Sequence, residues 1–95
     1  MILVNGQPEN TINVLDRGLQ YGDGLFETIA FRNGQIEFLH AHLSRLYQGC
    51  DRLKISTQQL DSRLKAEIER VCADLVDDAV IKIIITRGQG GRGYR

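Results

Sequence analysis

Apolar positions along this chain change their spacing repeatedly, and each change marks an element. Ile2 to Val4 is a short apolar run closed by Asn5-Gly6, a pair that tolerates positive φ and predicts a tight turn between strands. Thr11 to Leu15 reads as a second strand, with Pro8 confined to the turn or to an edge. From Asp16 to Gly24 no period persists and glycines recur, so the segment reads as an ordered loop. Leu25 to Phe31 is rich in aromatic and β-branched residues, as a strand is. Asn33-Gly34 then predicts a hairpin whose second strand runs from Gln35 to Leu39. Beyond it the spacing becomes three-and-four: Leu39, Leu43, Leu46, Tyr47, Cys50 and Leu53 share one face of a helix. Ser56 fits an N-cap and Gln59 completes a capping box, with Ile55 and Leu60 at the staple positions. Leu60, Leu64, Ile68, Val71, Cys72 and Leu75 form the stripe of a second helix, whose mixed charges (Asp61, Arg63, Lys65, Glu67, Glu69, Arg70) face solvent. Ala79 to Thr86 is a β-branched run that predicts a largely buried strand.

Strands, two helices and a strand make an α+β domain, with helices packed on a mostly antiparallel sheet. A length of 95 residues, 42% hydrophobic and 25% charged, suits one soluble domain with one core. The 12 basic and 12 acidic side chains cancel, which disfavours a nucleic-acid binder, whose affinity rests on neutralising phosphates. Met1 to Val4 shows no signal-peptide pattern and no apolar run reaches membrane-spanning length, so a cytoplasmic protein with no membrane association is expected. Cys50 and Cys72 fall within helical patterns, lack C-x-x-C spacing, and read as free thiols.

No self-contained catalytic set stands out. His40 and His42, two apart, point to different faces of their helix, and no metal site is expected. The glycine-rich stretch Gly88 to Gly93 follows a strand but lacks the lysine of a phosphate-binding loop. Arg87, Arg92 and Arg95 with Tyr94 also resemble a short arginine–glycine segment of the kind that contacts RNA or anions, which leaves a small binding module as an alternative. Arg45 beside the first helix's apolar stripe is either a surface arginine or a fork for phosphate or carboxylate. Arg92 and Tyr94, two apart, form a carboxylate clamp if their segment folds over a pocket.

Taken together, Asp16-Arg17-Gly18-Leu19-Gln20-Tyr21-Gly22-Asp23-Gly24-Leu25-Phe26-Glu27-Thr28, followed by His42-Leu43-Ser44-Arg45-Leu46, resembles the N-terminal domain of class IV (fold-type IV) pyridoxal-phosphate enzymes. That family includes branched-chain aminotransferases, D-amino-acid transaminases and aminodeoxychorismate lyases. The likeness runs through essentially the whole chain in order and spacing. The ending Arg87-Gly88-Gln89-Gly90-Gly91-Arg92-Gly93-Tyr94 is most similar to the lyases, and Thr28 agrees, since branched-chain enzymes tend to carry glycine there.

The resemblance implies pyridoxal 5'-phosphate as cofactor, 4-amino-4-deoxychorismate as substrate, and release of pyruvate and 4-aminobenzoate for folate synthesis, with a homodimer as the working form. A class IV aminotransferase acting on D- or branched-chain amino acids is the near alternative. By the resemblance Arg45 matches the arginine that grips the cofactor phosphate and Thr28 a residue suggested to help proton transfer. Tyr21 matches a tyrosine lining the active site, and Arg92 and Tyr94 fall in the loop that meets the substrate carboxylate. None of Lys54, Lys65 and Lys82 matches the family's Schiff-base lysine, which belongs to a larger C-terminal domain. Residues 1–95 are therefore expected to be the N-terminal small domain of a longer enzyme, inactive and without cofactor on their own.

Overall fold

The computed structural model describes residues 1–89. Two short strands, β1 (Leu3–Val4) and β2 (Gln7–Pro8), pair antiparallel across the Asn5-Gly6 turn. The returning strand is thus Gln7–Pro8 and not Thr11 to Leu15. In that stretch the chain is exposed and bends at Asn13, whose side chain accepts from the Leu15 amide at 2.7 Å. This local bond offers the backbone a turn in place of a ladder.

Asp16 to Gly24 is not a loop throughout. It contains a short helix, α1 (Arg17–Tyr21), capped by the Asp16 carboxylate on the Leu19 amide at 3.2 Å and closed by Gly22 in the left-handed region. The α1 segment also packs so close to the end of the last strand that a Cβ at Gly18 would overlap the Thr86 side chain.

The main sheet has three antiparallel strands in the order β4-β3-β5: β3 (Gly24–Arg32), β4 (Gln35–Ile36) and β5 (Ala79–Thr86). β3 and β5 pair along eight residues, from Gly24 opposite Thr86 to Phe31 opposite Ala79. β4 joins β3 only at Phe31 and Arg32, because Leu39 already opens the next helix.

Both long helices form where the apolar period places them: α2 (Leu39–Leu53) and α3 (Leu60–Ala73). The start of α3 differs from the predicted capping box. Thr57 to Leu60 makes a turn (Leu60 N to Thr57 O, 3.0 Å), Gln59 sits at φ +62°, and Ser56 only accepts weakly from the Gln58 amide. The helix therefore begins beyond the reach of the Ser56 hydroxyl.

Ile29 and Phe31 of β3, Ile81 and Ile83 of β5, Leu43 and Leu46 of α2 and Ile68 of α3 form one buried cluster. Cys50 is wholly buried and Cys72 half-buried, both as free thiols. Among the described residues, the helices cover one face of the sheet and leave the other exposed. β5 alternates, with Ile81 and Ile83 inside and Val80, Lys82 and Ile84 outside, so it is half-buried and not largely buried. On β3 the same alternation turns Phe26 and Thr28 outward and Glu27, Ile29 and Phe31 toward the helices. No helix among the described residues is long and apolar enough to cross a membrane.

Candidate active site

The period of β3 sends a carboxylate into the helix-covered side. Glu27 lies between Leu25 and Ile29 on the inward face and is 7% exposed. Burial of a charge there is tolerable only with partners, and α2 provides them. His42 and Arg45, three residues apart, are neighbours on the helix surface. Arg45 donates from Nε to Glu27 Oε2 at 2.9 Å and from Nη2 to Oε1 at 2.7 Å, a two-pronged match of guanidinium to carboxylate. His42 Nδ1 lies 2.6 Å from Oε1; an ionised carboxylate can only accept, so Nδ1 carries the proton of this bond. The Arg45 hydrogen bonds hold Glu27 below the ordinary carboxylate range, reinforced by His42 and opposed by burial. Glu27 in turn raises the affinity of the Arg45 guanidinium for its proton.

The anchored guanidinium is not consumed. The Arg45 side chain is 71% exposed. Nε and one bond of Nη2 are spent on Glu27, while Nη1 makes no hydrogen bond among the described residues. The arrangement is a rigidly aimed cation with spare donors facing solvent, the chemistry that a phosphate monoester requires.

Thr28 follows Glu27 on the opposite, uncovered face. Lys82 stands directly across from it on β5, with Nζ 4.6 Å from the centre of the Phe26 ring. Phe26, Thr28 and Lys82 thus make an exposed patch with an aromatic surface, a hydroxyl and a cation. Between this patch and Arg45 runs the edge of β3 from Leu25 to Ile29, which pairs with β5 on one side and with no named strand on the other. Tyr21, at the end of α1, is exposed and has the Arg17 guanidinium over its ring at 4.7 Å.

Of the residues singled out from sequence, Arg45, on α2, is bonded to Glu27, and Thr28 is the next residue along β3, on the opposite face of the sheet. Tyr21 stands apart, on the segment that leads into β3. Arg92 and Tyr94 lie outside the described residues. Sequence reasoning missed Glu27 and His42 as partners of Arg45, and it considered Lys82 only as a lysine that does not match the family's Schiff-base lysine. The signal was present: an acidic residue at an inward β position demands hydrogen-bonding partners, and the next helix carries a histidine and an arginine at i, i+3.

The family model for class IV amino-transferases matches residues 24–95. The chain belongs to that family. Among its relatives, the aminodeoxychorismate lyase of Vibrio harveyi is 39% identical over 94 residues, covering 99% of this chain and 34% of the relative. A D-alanine aminotransferase of Bacillus licheniformis is 30% identical, over 99% of this chain and 35% of the relative. The crystal structure of 4-amino-4-deoxychorismate lyase from Pseudomonas aeruginosa superposes with a TM-score of 0.83 at 49% identity, covering 95% of this chain and 32% of that one. A hypothetical aminotransferase from Mycobacterium tuberculosis in its PLP-bound form gives 0.75 at 30% identity, covering 90% and 31%. The class IV chain described here thus spans about a third of the length of the relatives it matches.

Proposed function

We propose that this chain is the N-terminal domain of a pyridoxal-phosphate-dependent 4-amino-4-deoxychorismate lyase. Such an enzyme releases pyruvate and 4-aminobenzoate from its substrate and serves folate synthesis as a cytoplasmic homodimer. The observation that carries the reading is Arg45: an exposed guanidinium locked by the buried Glu27, with donors left over for a phosphate. The likeness to the Vibrio and Pseudomonas lyases supports the choice of reaction.

Arg45 would hold the cofactor's phosphate, and His42 and Glu27 would keep its fork in place without touching the cofactor. When bound, pyridoxal phosphate supplies an aldehyde for the substrate amine and an electron-withdrawing ring. Thr28, one residue from Glu27 on the open face, would hold a proton at Oγ1 during its transfer. Lys82, opposite Thr28, presents an ammonium to a substrate carboxylate, with Phe26 beneath it as an apolar wall. Tyr21, and Arg92 and Tyr94 by the family resemblance, would complete the substrate's surroundings. Schiff-base formation needs a lysine, which this reading places in a further domain of the protein.

Reduction with borohydride in the presence of pyridoxal phosphate, followed by peptide mapping, tests the assignment on this chain and on the full-length gene product containing it. Cofactor trapped on a single lysine beyond residue 95, with pyruvate and 4-aminobenzoate formed in step, is the expected result. Stoichiometric trapping at Lys82 would overturn the placement of the chemistry. The likeness to D-alanine aminotransferase supports a second reading, amino transfer to a 2-oxo acid. Transfer without pyruvate release from aminodeoxychorismate would establish it.

A further inference from the structure

Away from Arg45, a second ionic cluster joins three segments. Asp23, between α1 and β3, receives two guanidinium donors on one oxygen: Arg17 Nε at 3.0 Å and Arg87 Nε at 2.7 Å from Oδ2. The two arginines hold Asp23 below the ordinary carboxylate range, Arg87 contributing most. Arg87, just past β5, also donates to the carbonyls of Leu53 and Lys54 at the C-terminus of α2, where unpaired carbonyls favour a cation. Backbone bonds fasten the same junction. Arg17 N meets Gly88 O at 2.8 Å and Arg87 N meets Asp23 O at 3.1 Å. Thr86 Oγ1 donates to Asp16 Oδ1 at 2.7 Å.

We propose that Asp23 is a positioning residue that sets the place of Tyr21 against the rest of the site. The Arg17 guanidinium that Asp23 holds lies over the Tyr21 ring, so the carboxylate fixes the cation and the cation fixes the ring. Through Arg87 the same oxygen is tied to β5, which carries Lys82, and to α2, which carries Arg45. One carboxylate thereby locks together the three segments that hold Tyr21, Lys82 and Arg45. Its removal takes the shared anion from between two guanidiniums and loosens the side-chain hold on Tyr21, while the backbone bonds of Arg17 and Arg87 and the Thr86–Asp16 bond keep α1 attached to the end of β5. Arg45 keeps its own anchor on Glu27, so a fault at Asp23 falls on the Tyr21 side and spares the phosphate grip.

That Tyr21 meets substrate rests on the function proposed above; the hold of Asp23 on α1 does not. The test uses the full-length protein with Asp23→Asn and Asp23→Glu. Three quantities are read: steady-state constants for pyruvate release, pyridoxal phosphate affinity by absorbance, and amide hydrogen exchange over residues 17–22. For Asp23→Asn the expected result is a KM raised about tenfold, as follows from losing charge-assisted bonds, with kcat and cofactor affinity within about twofold and exchange at 17–22 faster. Asp23→Glu, which restores the charge, recovers most of the KM. If Asp23→Asn does not fold, Arg17→Lys carries the same test, since it keeps the charge but removes the guanidinium from over the Tyr21 ring. A lowered melting temperature with KM unchanged would mean a structural role only and overturn the proposal, as would unchanged exchange over 17–22. A parent with no pyruvate release refutes the proposed function instead, and the exchange measurement still decides the clasp.

Discussion

Glu27 shows how a single residue converts fold into chemistry. An apolar residue at that inward position would pack as well, and Arg45 would then be an untethered surface arginine. With the carboxylate there, the guanidinium is held in one orientation, and its remaining donors are aimed before any ligand arrives. Glu27→Gln should keep the shape but lose the negative charge and the two-pronged match, because the amide offers Arg45 one acceptor oxygen and not two. Urea unfolding is expected to show a loss of about 1–2 kcal/mol. Isothermal titration with inorganic phosphate should show weaker binding than in the parent chain, and unaltered phosphate affinity would remove Glu27 from the site. Arg45 and Thr28 were legible as candidates from the motif that contains them, but the Glu27–His42 support was not singled out. Its logic requires knowing both that Glu27 faces inward and which helix covers it, and only the second depends on tertiary packing.

At the scale of elements, period was a reliable guide wherever burial enforces it. The stripes of α2 and α3 and the β3–β4 turn were readable because each apolar residue answers to the same core. Elements whose ends are settled by local competition were not readable. Ser56 and Gln59 have the spacing of a capping box, yet a turn at Thr57–Leu60 takes the backbone first. Ser56→Ala should therefore change stability by less than about 0.5 kcal/mol, where loss of a true cap costs about 1. Leu46→Ala, at a fully buried position, should cost about 2–5 kcal/mol in the same urea titration. α1 escaped detection because five residues show no period, and its stability comes from Asp16, Gly22 and the Asp23 clasp. The run from Ala79 to Thr86 looked buried on both sides because β-branched residues occupy its outer positions too. Neighbouring substitutions separate the faces. Ile83→Thr should destabilise by about 2 kcal/mol or more, and Ile84→Thr, 63% exposed, by less than about 0.5.

At the scale of the whole molecule, three lowered carboxylates among the described residues each join elements distant in sequence. Asp23 ties α1 to β5 and α2, Glu27 ties β3 to α2, and Asp61 ties α3 to α2 by accepting from the Tyr47 hydroxyl at 2.7 Å. Asp61 is lowered by that bond first and then by Lys65. Because each carboxylate binds its proton less readily folded than unfolded, their stabilisation is complete above the ordinary carboxylate values of about 4. It fades as the pH falls through the lowered folded values. Tyr47 works at the other end of the scale: burial, then its bond to Asp61, pushes the phenol up, so its contribution is complete below about 10 and is lost as pH rises through the folded value. The expected profile of melting temperature is a plateau from about pH 5 to 9 with a fall on either side. Circular dichroism melts between pH 2 and 11 measure it. Glu27→Gln should flatten part of the acid arm and leave the alkaline arm alone, while Tyr47→Phe should remove only the phenol's share of the alkaline arm, because burial also pushes up the Cys50 and Cys72 thiols. If Glu27→Gln leaves the acid arm as steep as in the parent chain, the buried carboxylate does not couple β3 to α2 in solution, and the preset aim of Arg45 loses its physical basis.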